Sequence, residues 1–120
     1  MNRPIKFRVW ITPWGNSEPY MQYIDDLHLH IYIGNWERGG YKDTIFQQYT
    51  GCNDAYNKEI FEGDIVQYNN GDVIRIGYVG FMAGIFFLNY PDETDDELGY
   101  LLVSNLKVIG NKFEHSELLK

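Results

Sequence analysis

Short strand-forming runs follow one another at close spacing along this chain, and between them no run of ten or more residues has a helical period. That spacing constrains the fold more than any motif does. A parallel α/β sheet needs a helix at each crossover, so a chain without room for such helices must return its strands antiparallel, as a barrel or a sandwich. Ile5, Phe7, Val9 and Ile11 alternate with Lys6, Arg8 and Trp10. This period of two sends one set of side chains to a core and the other outward. Tyr20 to Ile24 reads as a second strand. In a third, Leu27, Leu29, Ile31 and Ile33 share one face, and His28, His30 and Tyr32 share the other. Thr44 to Tyr49 resumes an extended segment, and Ile60 to Tyr68, Val73 to Val79, Ile85 to Leu88 and Lys107 to Phe113 continue the pattern. Ten Tyr and seven Phe suit the pleated surface that this pattern predicts.

Turn chemistry punctuates the strands. Thr12 to Pro19 and Gly34 to Gly40 are predicted loops that carry Trp14 and Trp36. Asn69-Asn70-Gly71-Asp72 is a hairpin signal, because Asn and Gly tolerate the positive φ of tight primed turns. Gly80 and Gly84 bracket a further turn at Phe81-Met82-Ala83, and Pro91 to Glu97 reads as a charged, solvated loop. Leu98 to Leu106 fits a short helix or a strand equally well. Ser116 stands where an N-cap would begin a final helical turn at Glu117-Leu118-Leu119.

The densest arrangement lies between Gln48 and Val66. Gly51, Asn57 and Gly63 are placed to shape turns, Ile60, Phe61, Ile65 and Val66 to supply core, and Asp64 to accept backbone N–H groups at a bend. Glu62-Gly63-Asp64 is turn chemistry before it is catalysis. With 120 residues, no Ser/Gly linker and no internal repeat, a single domain over 1–120 is expected.

Charge and residue inventory narrow the function. A formal charge of -7 argues against a phosphate-backbone binder and against an anionic membrane surface. Cys52 is the only cysteine, which excludes an internal disulfide and points to a reducing compartment. The first residues lack the apolar core of a secretory leader, and no eighteen apolar residues run together, so a cytoplasmic protein is expected. His28 and His30, two apart on a strand, could both ligate zinc if His115, Cys52 or a carboxylate supplied a third ligand. A solvated strand face explains the same pattern, and no metal or cofactor is assigned. Asp92, Glu93, Asp95, Asp96 and Glu97 have calcium-ligand chemistry without the glycine and terminal glutamate register of an EF-hand. They read as a solvated loop or, taken with the net charge, as part of a surface imitating nucleic-acid phosphates. No nucleophile–base pair and no phosphate-binding glycine loop is visible, and an enzyme is not expected. Trp14, Trp36 and Tyr32 are the candidate protein-interaction residues, since exposed rings bury large apolar areas at interfaces.

Phe7-Arg8-Val9-Trp10, Gln48-Tyr49-Thr50-Gly51, Lys58 to Val66, Val108-Ile109-Gly110-Asn111 and Glu117-Leu118-Leu119 together carry a resemblance spanning nearly the whole chain. The chain resembles the YopX family of small bacteriophage and prophage proteins. Cys52 replaces a usual leucine, Tyr56-Asn57 a usual Asn-Gly, and His115-Ser116 a common Asn-Pro. The resemblance implies an all-β, mainly antiparallel fold with little helix, divided into an N-terminal β region over 1–50 and an SH3-like barrel over 58–113. It transfers no catalytic residues. The resulting expectation is a phage or prophage accessory protein in the bacterial host cytoplasm. It would be a non-enzymatic protein-interaction module that self-associates and meets a host or phage protein. The alternatives are an acidic, DNA-mimicking inhibitor of a host nucleic-acid enzyme and a weak single-strand nucleic-acid binder.

Overall fold

The computed structural model describes residues 6–25 and 40–119. They form an all-β, mainly antiparallel fold of nine strands and three 3-10 turns, and the chain divides into two compact units, Met1–Tyr49 and Thr50–Lys120.

In the first unit, β1 (Lys6–Thr12) runs antiparallel between β2 (Tyr20–Asp25) and the start of β3 (Asp43–Asn53), with Val9 opposite both Gln22 and Phe46. Val9, Ile11 and Ile24 are buried together, and Phe7, Tyr41 and Phe46 pack against them. The inward set of β1 is therefore the one its alternation assigns. The outward set departs from expectation at Arg8, which is only 2% exposed and donates from Nε to Gln47 Oε1. Period two assigns a side chain to a face; it does not say whether that face is open to water. A charge buried this far needs a partner. The expected third strand and the loop after it, with His28, His30, Tyr32 and Trp36, lie outside the described residues.

In the second unit, β4 (Glu59–Phe61) neighbours the end of β3. Five further strands follow: β5 (Asp64–Asn69), β6 (Ile74–Met82), β7 (Ile85–Asn89), β8 (Asp95–Glu97) and β9 (Leu106–Asn111). Their order is β8-β7-β6-β5-β9, an antiparallel meander whose last strand returns to pair with the first after two 3-10 turns. This is the barrel-like closure the resemblance implies. Its core joins Ile60, Val66, Val79, Leu88, Tyr90, Leu98, Leu106 and Val108, with the half-buried Cys52 packed against it.

Several local expectations are corrected. The link from β5 to β6 is a four-residue loop, since Asn69 pairs with Ile74. Within it only Gly71 takes a positive φ. Asn69 and Asn70 act through their side chains instead, Asn69 Oδ1 accepting from Gly71 N and Asn70 Oδ1 from the N–H groups of Asp72 and Val73. Gly80 is a strand residue, paired with Phe87, and the tight turn falls at Ala83-Gly84. The acidic stretch is only partly a loop, because Asp95–Glu97 forms β8. Leu98–Tyr100 and Val103–Asn105 are 3-10 turns, neither strand nor α-helix.

Ala83 and Gly84 both have left-handed φ, +54° and +81°, as a two-residue primed turn requires. Ala83 pays for its Cβ there, at about 1 kcal/mol. The variant Ala83→Asn, which installs the preferred Asn-Gly pair, is therefore expected to raise stability by roughly 0.5–1 kcal/mol in urea unfolding. A loss of stability would contradict the turn geometry.

Candidate functional site

Asp54 organises the connection from β3 to β4. Its side chain is 4% exposed; Oδ1 accepts from the backbone N–H of Tyr56 and of Lys58, and Oδ2 from that of Val108 on β9. Ala55 N donates to Leu106 O beside it. Burial pushes this carboxyl up, but the N–H groups of Val108, Lys58 and Tyr56 and the Lys58 ammonium outweigh it and hold the group below the usual carboxylate range. The loop so fixed occupies hydrogen-bonding groups along the outer edge of β9. The opposite edge, β8, is three residues long and wholly acidic, which discourages pairing with another sheet.

The turn residues singled out in the sequence line this connection. Gly51 (φ 87°) and Asn57 (φ 64°) are left-handed, and Asn57 Oδ1 accepts from Asn53 Nδ2 at 2.9 Å. Gly63 (φ 83°) forms the bend between β4 and β5 beside Glu62, with Gly63 N donating to Val79 O and Gly63 O accepting from Lys112 N. Asp64 Oδ2 accepts from Phe61 N at 2.8 Å and closes the bend. These groups hold backbone to backbone.

Register builds a different place beside them. Gln67 on β5 lies opposite Lys107 on β9, and Asn69 follows two residues along the same face, while Val66, Leu106 and Val108 belong to the core. With Tyr56 from the Asp54 loop and Ser104 and Asn105 from the second 3-10 turn, they line a cavity of about 160 Å3. Lys107 Nζ lies 5.5 Å from the centre of the Tyr56 ring, which is 73% exposed at the rim.

At the tip of the β6–β7 hairpin, Phe81 pairs with Phe86 and Met82 with Ile85. The two phenyl rings are 4.7 Å apart, yet Phe81, Met82 and Ile85 remain exposed. No charged residue stands between Arg75 and Asp92. Arg75 itself lies 3.5 Å over the Tyr90 ring and donates to Asp92 Oδ2 and Thr94 Oγ1. Tyr90 donates to Asp96 Oδ2 at 2.6 Å; burial first, and then this bond, raises its phenol. Thr94's hydroxyl and N–H, and then Arg75, keep the Asp92 carboxyl low. Two of the five acids in the 92–97 stretch are thus engaged by neighbours rather than displayed alone.

Trp14 is 61% exposed in the β1–β2 connection. Among the described residues no three His, Cys, Asp or Glu side chains converge on a possible metal site, and no helix is long and apolar enough to cross a membrane. Sequence reasoning singled out neither the cavity nor the hairpin tip. The uncharged run from Ile76 to Pro91 is a signal for the tip; the cavity has none, because its walls come from three separated segments.

The fold defines a class, the small all-β protein whose C-terminal sheet closes in SH3-like order. Within that class the chain belongs to the YopX family, whose model, described as YopX protein, matches residues 6–120. The crystal structure of protein EF1440 from Enterococcus faecalis is similar in fold, with a TM-score of 0.54 and 24% identity over 97% of this chain and 98% of that one. No curated protein matches the chain.

Proposed function

We propose that this protein is a phage- or prophage-encoded accessory protein of the bacterial cytoplasm, a non-enzymatic protein-interaction module that self-associates. The observation that carries the reading is the apolar hairpin tip, where Phe81, Met82 and Ile85 stand in solvent on a segment free of charge. In a chain of net charge -7, two copies repel through most of their surfaces and can approach where no charge is present. Within the five-stranded sheet, the acidic edge β8 and the occupied edge of β9 favour side-chain burial over strand pairing as the means of association.

Light scattering at micromolar concentration tests this directly. The wild-type chain is expected at a multiple of its 14.1 kDa mass, and Met82→Glu at the single-chain mass with an unchanged melting temperature. A strictly monomeric wild type would remove self-association from the proposal.

A further inference from the structure

The cavity between β5, β9 and the Asp54 loop has a chemistry that its surroundings do not require. Among the described residues, the Gln67, Ser104 and Asn105 side chains make no hydrogen bond, and Lys107 has only the Tyr56 ring. Asn69 Oδ1 is engaged by Gly71 N, which leaves its Nδ2 hydrogens to donate. No carboxylate lines the cavity, although Asp and Glu together number 17 in the chain. The nearest acid in sequence, Asp54, has both oxygens engaged by backbone donors. Neutral hydrogen-bonding groups able to donate and one ammonium therefore line a space with no competing carboxylate. Donors arranged this way stabilise an oxyanion through charge-assisted hydrogen bonds.

From this we infer that the cavity is a binding site for the phosphate or carboxylate group of a small ligand, with Lys107 as the charged contact and Asn69, Ser104 and Asn105 as neutral donors. Its volume of about 160 Å3 is well below the roughly 300–1,000 Å3 of sites that enclose a drug-sized molecule. It takes one functional group, and the remainder of the ligand lies against the exposed Tyr56 ring. The site shares no residue with the β6–β7 tip, so its ligand contacts are separate from those invoked for self-association.

Proton–nitrogen correlation spectra of the full chain test the inference, with inorganic phosphate, acetate, uridine monophosphate and uridine as separate probes against a sodium chloride control of equal ionic strength. Saturable shifts of the Gln67, Asn69 and Asn105 side-chain amides are expected with phosphate or with acetate. Which of the two acts at lower concentration identifies the anion. Uridine monophosphate should bind more tightly than inorganic phosphate if phosphate is preferred, and uridine should leave the amides unmoved. Lys107→Met and Asn105→Ala should each weaken binding by about tenfold, the loss expected for one charge-assisted or well-placed hydrogen bond, while spectra outside the cavity keep their wild-type pattern. The inference is overturned if neither anion produces saturable shifts at tens of millimolar, if chloride or uridine reproduces them, or if both folded variants bind as the wild type does.

Discussion

Replacing Asp54 with alanine is expected to cost about 3 kcal/mol of stability, read as a lowered urea midpoint at unchanged slope. The substitution strands three backbone N–H groups, those of Tyr56, Lys58 and Val108, that have no other partner in this arrangement. Each unsatisfied buried donor costs roughly 1–3 kcal/mol, and water entering the loop recovers part of the sum. Asp54→Asn keeps one acceptor oxygen but turns an N–H2 toward a backbone donor, so a loss of about 2 kcal/mol is expected. The sign of the pH dependence follows from the carboxyl's low value in the folded protein. The unfolded chain binds the proton more readily, so stability rises with pH through this group. Its contribution is complete above the ordinary carboxylate value of about 4 and is lost as pH falls through the lower folded value. The gap between wild type and Asp54→Asn should therefore be widest near neutrality and narrow on acidification. Equal unfolding midpoints at neutral pH would refute the bracing role.

A second large effect is expected at Gly77, where alanine should lower stability by about 3 kcal/mol, or roughly 10 °C in melting temperature. A Cβ built there would lie 2.4 Å from the carbonyl oxygen of Asn89, 3.0 Å from its carbon and 3.0 Å from Tyr90 Cδ1. The obstacle is backbone, so β6 and β7 must separate or Tyr90 must leave its place between Arg75 and Asp96. Gly99→Ala provides the internal control. It meets nothing within 4 Å and has no left-handed φ, so its change should stay within about 0.5 kcal/mol. Comparable losses for the two variants would show that close approach of β7 is not what demands glycine at 77.

Sequence carried the architecture wherever information was local. The alternation of Phe7, Val9 and Ile11 identified both a strand and its buried face, and the bend at Gly63-Asp64 could be read from residues three apart. It failed where the decisive partner was distant. Arg8 looked solvent-facing because Gln47, 39 residues later, was invisible to any window around β1. Asp54 carries no local signal of its role, because its bond to Val108 spans 54 residues. Local propensity for a primed turn is strongest at the Asn-Gly pair, whereas the strand register sets a two-residue turn at Ala83-Gly84. The cavity combines a loop, two strands and a 3-10 turn, and no one-dimensional pattern represents such a meeting.

The return of β9 to β5 also sets an order of events for the chain as it folds. The β5–β6 and β6–β7 hairpins close over loops of four and two residues and can form early, as local pairings do. Closure by β9 must wait for a strand some forty residues downstream of β5, with the loop-closure entropy this entails. Until that strand arrives, Asp54 Oδ2 lacks the Val108 donor and the outer edge of β5 lacks its partner. The Asp54–Val108 bond, which spans 54 residues, is among the contacts that wait for this closure.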